Sequence, residues 1–185
     1  MKRLRITGIV VGTLLAVLVP AQAVMAASSV NVTIQVTPGK VSIDVSPTTY
    51  NFGTIAISET WYGLTSPTQT EPSYPLAASS CPITVTNTGN ISIKVRANMG
   101  NLTYSGEPTW TSSAAAGTGA FRMDIAKDGD SSWTGPINST TEFISSLAAR
   151  ASKKFALKFQ SPTDDASYEG INVKTGTLVI SAVKA

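Results

Sequence analysis

Three aspartates near one turn are the best candidates for chemistry in this chain: Asp124, Asp128 and Asp130. Carboxylate oxygens that a turn brings together are the ligands that calcium prefers. The segment lacks the distal bidentate glutamate of an EF-hand loop, so an ordinary solvated turn rich in aspartate is the alternative. The sequence thus offers one weak calcium hypothesis and indicates no other cofactor.

The remaining reactive residue types are scarce. The chain has no histidine and one cysteine, Cys81. Without histidine, Ser-His-Asp and Cys-His catalysis and the commonest general base are excluded, and one cysteine cannot build a zinc or iron–sulfur site. We interpret Cys81 as a small buried hydrophobe, or else as a thiol that is modified or pairs with another chain. We therefore expect a protein that is not an enzyme.

Residues 58–80 have no periodicity, are rich in proline, and contain Trp61, Tyr62 and Tyr74. Aromatic rings on a loop could stack on sugars, which predicts a carbohydrate- or surface-binding module. The alternative is that Trp61 finishes a strand and covers one end of the core. Four N-x-S/T sequons also occur, at Asn31, Asn90, Asn101 and Asn138, and they matter only in a host that glycosylates exported proteins.

The N-terminus predicts export. Lys2, Arg3 and Arg5 precede an uncharged run from Ile6 to Val19, and small residues follow. This pattern is typical of a signal peptide over residues 1–26, cleaved after Ala26 or, as second choice, after Ala23. An uncleaved anchor is the alternative, but the run is shorter than the roughly 20 residues that a spanning helix needs.

Cleavage changes the charge balance. Three of the 14 Lys and Arg residues lie in the leader and none of the 11 Asp and Glu residues do, so the mature chain is formally neutral. A neutral surface with scattered charges does not favour nucleic acid or an anionic membrane as partner.

The mature chain, residues 27–185, begins with a predicted strand. Between Ser28 and Val36, aliphatic residues alternate with Asn, Thr and Gln. Such a strand could pair within its own sheet or add to the exposed edge of a neighbouring subunit. The aliphatic residues of this predicted assembly strand are Val30, Val32, Ile34 and Val36.

The rest of the chain favours short strands separated by turns. Alternating patterns end at Val45, surround Tyr50 and Phe52, and recur at 120–126, 153–160 and 178–182. Cys81–Arg96 has a hairpin pattern, with aliphatic residues on both sides of Asn87-Thr-Gly-Asn90. Residues 139–150 fit either a short helix that begins with a capping box or another strand. The prediction is an all-β fold, a single immunoglobulin-like antiparallel β-sandwich of about eight to ten strands.

Two pairs of phrases strengthen this expectation. Val45-Ser-Pro-Thr-Thr-Tyr-Asn-Phe-Gly-Thr-Ile55, followed by Ile83-Thr-Val-Thr-Asn-Thr-Gly-Asn90, resembles Hydin-type and choice-of-anchor immunoglobulin-like domains of exported microbial proteins. Residues 155–163 and 176–182 resemble the ends of small secreted sandwiches, including fibre subunits related to camelysin and TasA. The resemblance implies architecture and export and carries over no catalytic position.

Another phrase, Asp128-Gly-Asp-Ser-Ser-Trp133, resembles an Asp-box. That resemblance implies a structural hairpin in which Asp128 bonds turn amides and Trp133 packs beneath.

These observations predict a secreted, non-enzymatic protein with a structural or adhesive role at the cell surface. We expect its partners to be other copies of itself or other cell-surface proteins, and no membrane once the leader is removed. A filament or matrix subunit assembled through the N-terminal strand is the preferred hypothesis. A binding module that uses the aromatic loop is the alternative.

Overall fold

The structure is a computed structural model that describes Gln35 and residues 37–105, 107–164 and 174–185. The predicted leader and the predicted assembly-strand residues Val30, Val32, Ile34 and Val36 lie outside these residues. The described ranges contain nine strands and no helix, so the all-β prediction is confirmed and no membrane-spanning helix occurs among them. The strands are β1 (Ile43–Ser46), β2 (Thr60–Gly63), β3 (Ile83–Asn87), β4 (Ile93–Met99), β5 (Thr111–Ser112), β6 (Ala120–Lys127), β7 (Thr141–Leu147), β8 (Ser152–Gln160) and β9 (Leu178–Lys184).

The strands form two sheets. In the larger, sheet A, the order is β1-β3-β8-β6-β5, and β2 also pairs with β8. In the smaller, sheet B, the order is β7-β4-β9. The strand pairings are antiparallel except for the short parallel pair of β5 and β6.

Strand β8 organises sheet A. One of its edges pairs with β6, and its other edge pairs first with β3, through Ser152 to Phe155, and then with β2, through Leu157 to Gln160. Phe155, Leu157 and Phe159 alternate along β8 and are buried, as the sequence predicts. Their side chains face sheet B and form the middle of the core.

The main core lies between the two sheets. Both sheets contribute alternate apolar side chains to it, because each strand has one face that must be removed from water. Its buried members include Ile83, Val85, Ile93, Val95, Phe121, Met123, Ile125, Phe143, Ile144, Leu147, Phe155, Leu157 and Phe159.

The prediction of a hairpin over Cys81–Arg96 is wrong. β3 pairs with β1 and β8 in sheet A, whereas β4 pairs with β7 and β9 in sheet B. The connection between β3 and β4 therefore crosses the core as an arch. The alternation is the same for an arch as for a hairpin, because in both cases one face of each strand points into the core.

Asn87 fixes this arch. It is fully buried, and its side-chain nitrogen donates to the carbonyl oxygens of Ile91, Leu147 and Ala148 at 2.8–3.0 Å. Its side-chain oxygen accepts the Gly89 N–H at 2.9 Å. One side chain thus holds the arch to the end of β7, in the other sheet.

Gly89 is required by close approach. A Cβ at this position would lie 2.1 Å from the Lys40 carbonyl oxygen, because the arch presses against the chain that leads into β1. In this protein the Thr88-Gly89-Asn90 sequence therefore forms an arch between the two sheets, and the glycine allows the arch to pack closely against the chain at Lys40.

Two other expectations about strands are settled. No strand forms around Tyr50 and Phe52; Pro47 follows β1, and Gly53 has a φ of 82°. The Tyr50 and Phe52 rings still contact each other, with ring centres 5.0 Å apart. The centres of the Phe52 and Phe159 rings are 5.6 Å apart. Of residues 139–150, whose pattern fits either a short helix or a strand, Thr141–Leu147 form β7.

Replacing Asn87 by alanine is expected to lower the free energy of unfolding by about 2–3 kcal/mol, since buried carbonyl groups lose their donor. Urea denaturation followed by tryptophan fluorescence measures the change. Asn98→Ala, at a half-buried position on the outer face of β4, is the matched control and should stay within about 0.5 kcal/mol of the wild type. Equal effects of the two substitutions would show that Asn87 does not hold the arch.

Candidate functional site

One side of the sandwich is closed by the chain between β6 and β7. Thr134 exchanges backbone hydrogen bonds with Ile125 of β6 at 2.8 Å. The Ile137 N–H then donates to Met123 of β6, and the Ile137 carbonyl accepts the N–H of Met99 of β4. This segment bridges both sheets and closes the β6/β7 side.

On the opposite side of the sandwich, the described residues do not bridge the two sheets. Between β1 with the loop after it and β9 with the residues before it lies a cleft of about 1270 Å³, which we call the β1/β9 cleft. Its floor is the inner face of sheet A, including Met123 and Phe159, and its walls include Tyr50 and Ile180. The floor residues are almost fully buried, whereas apolar side chains of the walls, such as Tyr50 and Ile180, are only partly buried.

The walls of the cleft are mostly uncharged. Among the described lining residues, Lys174 is the one with a charged side chain, and that side chain is only 4% exposed. Its ammonium group donates to Glu107 at 3.1 Å and to the Pro108 carbonyl at 2.7 Å, and it lies 5.4 Å from the centre of the Trp110 ring. Burial also raises the pKa of the Tyr50 hydroxyl to about 12, so that group stays neutral. Such walls suit an apolar occupant.

Strand β9 forms one rim of the cleft and is an edge strand. The Ala185 N–H donates to Ser92 and the Gly100 N–H donates to Thr177. Since the bonded pairs of an antiparallel ladder alternate, the backbone groups of Ile180 and Ala182 point away from β4. No strand of the described ranges pairs with this outer edge.

The side chains of β9 do not protect its edge. Leu178, Ile180 and Ala182 pack against the core, whereas Val179 and Val183 face outward, with Val179 52% exposed. Natural edge strands are usually blunted by charge, proline or shortness. β9 has seven residues, no proline, and a charge only at Lys184, so it can accept a further strand.

The other strand beside the cleft, β1, is a poorer acceptor. It has four residues and is followed immediately by Pro47. The chain that leads into it is held at Asn90, whose amide oxygen accepts the Lys40 N–H at 2.6 Å and whose amide nitrogen donates to the Pro38 carbonyl. The Asn90 side chain therefore fixes the chain at Pro38 and Lys40.

The predicted aromatic platform is not assembled on one surface. Trp61 lies opposite Phe159 and Tyr62 opposite Lys158, so the two rings are on different faces of sheet A. Tyr62 instead contacts Trp133, with ring centres 5.7 Å apart. Tyr74 donates to Glu71 at 3.1 Å, and burial raises its pKa to about 12. Sequence reasoning missed the pairing of Tyr62 with Trp133.

The three candidate calcium ligands are each paired with a different cation. Asp124 is buried and accepts the Arg122 Nε–H at 2.9 and 3.1 Å. The Lys153 ammonium lies 3.3 Å from Asp128, and Asp130 pairs with Lys127. Within the described residues, no group of three acidic or cysteine side chains is arranged to hold a metal ion.

The turn that resembles an Asp-box is stabilised differently from the expectation. Asp130 accepts the Lys127 backbone N–H within the turn, whereas Asp128 accepts the Lys154 N–H of β8. Trp133 packs against a second cluster on the outer face of sheet A, as the resemblance implies for that residue.

Cys81 belongs to this second cluster, together with Leu76, Ala126 and Ala156. The chain after β2 folds over the outer face of sheet A, and Leu76 exchanges backbone hydrogen bonds with Gly129 and Asp130. Cys81 is 3% exposed, and burial, with a further contribution from Asp128, raises its pKa to about 11. The thiol is thus a buried hydrophobe in the folded chain.

The described residues form an all-β, two-sheet fold with a bridging segment on one side and the β1/β9 cleft on the other. Compared with models of known protein families, with curated proteins and with solved structures, the chain shows no significant match. The immunoglobulin-like type and the resemblance to fibre subunits therefore stay predictions from the sequence.

Millimolar calcium is expected to leave the midpoint of thermal unfolding unchanged, because a ligand stabilises the folded state only if it binds there. Differential scanning fluorimetry with calcium, magnesium or a chelator measures this. A rise with calcium alone that disappears in Asp128→Asn would restore the calcium hypothesis.

Stability is expected to fall as the pH rises from the ordinary thiol value of about 8.5 toward about 11 for the folded Cys81. Over this window the folded state keeps the thiol proton that the unfolded state releases, so deprotonation favours unfolding. Urea denaturation across the window should give a shallower fall for Cys81→Ala than for the wild type. Parallel curves for the two proteins would show that Cys81 is not the group responsible.

Proposed function

We propose that this protein is a structural subunit of the cell surface that assembles by strand addition. In this proposal, the N-terminal segment of one copy enters the β1/β9 cleft of the next copy and pairs with β9. The observation that carries the proposal is the β1/β9 cleft, where the unprotected edge of β9 lies beside partly buried apolar side chains such as Tyr50, Phe52 and Ile180.

The segment has the chemistry that the cleft requires. An added strand places alternate side chains on opposite faces. Val30, Val32, Ile34 and Val36 would enter the apolar cleft, while Asn31, Thr33 and Gln35 would face water. Burying each aliphatic side chain stabilises the contact by roughly 1.5–3 kcal/mol before the cost of ordering the segment.

The N-terminal segment is also long enough to pair along the whole of β9. At about 3.3 Å per residue, the seven residues of β9 extend over roughly 23 Å and the nine residues from Ser28 to Val36 over roughly 30 Å. A donor and an acceptor at different places on one chain make a head-to-tail contact, and such a contact generates filaments unless the rotation closes a ring. Export, cleavage after Ala26 and an immunoglobulin-like sandwich are parts of the same proposal.

The first test compares residues 27–185 with residues 38–185. Residues Pro38–Ala185 form a compact unit, so the shorter chain is expected to fold. Negative-stain electron microscopy should show filaments of the longer chain and only monomers of the shorter one. A monomeric longer chain that is more stable than the shorter one would show that the segment fills the cleft of its own copy.

Point variants at adjacent positions separate the two faces of each strand. In the acceptor, Ile180→Lys should abolish filaments and Val179→Lys should not, because only Ile180 lines the cleft. In the donor, Ile34→Asp should abolish filaments and Thr33→Asp should not. Circular dichroism controls for folding, and filaments that survive both Ile180→Lys and Ile34→Asp would refute the proposal.

A peptide of residues 27–37, added to the 38–185 chain, gives a direct readout. Trp110 lines the cleft, whereas Trp61 and Trp133 do not. Binding should change the fluorescence of Trp110 in a chain whose other two tryptophans are replaced by phenylalanine. The same peptide with Ile34→Asp is the control and should leave the fluorescence unchanged.

A further inference from the structure

The structure distinguishes the N-x-S/T sequons of the described chain by the state of their asparagine side chains. The fourth sequon, at Asn31, lies outside the described residues. Transfer of a glycan needs an asparagine amide that is exposed and a surrounding segment that can enter the transferase. All three described asparagines are exposed, but they differ in the hydrogen bonds that hold the side chain and the surrounding segment.

The Asn90 sequon is blocked. Both ends of its side-chain amide are used: the oxygen accepts the Lys40 N–H at 2.6 Å, and the nitrogen donates to the Pro38 carbonyl at 3.0 Å. Modification at the nitrogen would break the second bond and displace the chain that leads into β1. A folded copy therefore does not offer this amide.

The Asn101 sequon is held by one side-chain and two backbone hydrogen bonds. The side-chain oxygen of Asn101 accepts the Ser112 N–H at 3.0 Å. Thr103, which supplies the sequon hydroxyl, exchanges two backbone hydrogen bonds with Thr175 at 2.8 and 2.9 Å. These contacts keep the segment on the body of the protein.

The Asn138 sequon is open. Asn138, Ser139 and Thr140 are consecutive exposed residues between the bridging Ile137 and the start of β7. Across the residues that the structure describes, no group hydrogen-bonds the Asn138 side chain. The neighbouring contact, from the Thr141 hydroxyl to the Ser139 carbonyl at 3.0 Å, leaves both the Asn138 amide and the Thr140 hydroxyl available.

We propose that Asn138 is a site of N-glycosylation. The donor is an oligosaccharide on a polyprenyl phosphate or pyrophosphate, and an oligosaccharyltransferase is the catalyst. A bond forms between Asn138 Nδ2 and the anomeric carbon, and the bond from that carbon to the phosphate oxygen breaks. The lipid phosphate leaves with the electron pair, and a carboxylate of the transferase takes the amide proton.

The position of Asn138 makes this modification compatible with an occupied cleft. Asn138 follows Ile137, which bridges the sheets on the closed β6/β7 side, whereas the cleft lies between β1 and β9. Asn138 is not among the residues that line the cleft, so a glycan there is attached outside it. The proposal does not depend on assembly.

The test uses the folded mature protein, a polyprenyl-linked oligosaccharide and a single-subunit oligosaccharyltransferase already shown to modify a peptide of residues 133–145. Among the three described sequons, peptide mapping should find a glycan on Asn138 and none on Asn90 or Asn101. Asn138→Gln should lose it, and so should Thr140→Ala, which keeps the amide but removes the sequon. Peptides released by protease should be modified at Asn90 as well, because the folded contacts are gone.

Two results would overturn the proposal. The first is a folded protein that stays unmodified at Asn138 while its released peptide is modified. The second is modification of Asn90 in the folded protein to the same extent as Asn138, which would show that the side-chain contacts do not select the site.

Discussion

The structure depends on the pairing of strand β8, whose two edges and both faces are all in contact with other parts of the chain. One edge binds β6 and the other binds β3 and then β2, so three segments far apart in sequence obtain their register from a single strand. One face of β8 presents Phe155, Leu157 and Phe159 to the main core, and the other presents Ala156 to the second cluster. A shift of β8 by one residue would exchange these faces and disrupt both cores.

The alternation of side chains predicts which residues face the core, but it does not predict which strands pair. β3 and β4 were expected to form a hairpin and instead belong to different sheets. Two residues stabilise the arch that places β3 and β4 in different sheets. Asn87 hydrogen-bonds to the end of β7, and Gly89 lies against the backbone at Lys40. These are long-range contacts, and a sequence pattern that extends over a few residues contains no information about them.

The donor strand predicted from the alternation in residues 28–36 lies outside the described residues and stays a prediction. The acceptor could not be inferred from the sequence, since it arises where β1 ends early at Pro47 and no described strand covers β9. Trp61 and Tyr62 were grouped by sequence proximity, although neighbouring residues of a strand face opposite sides. The carboxylates grouped as calcium ligands are held by separate cations, which come from β6 and β8.

The chain after β2, residues 64–81, lies over the outer face of sheet A and forms a third layer, which we call the cover. The cover has fewer buried contacts than the main core. It is held by backbone hydrogen bonds and by the cluster around Leu76 and Cys81, which among the described residues includes no residue of sheet B. Segments with few buried contacts open at a lower free energy than the whole domain. Amide hydrogen exchange within the cover should therefore be faster than in β8, and the sandwich can stay folded while Cys81 is briefly uncovered.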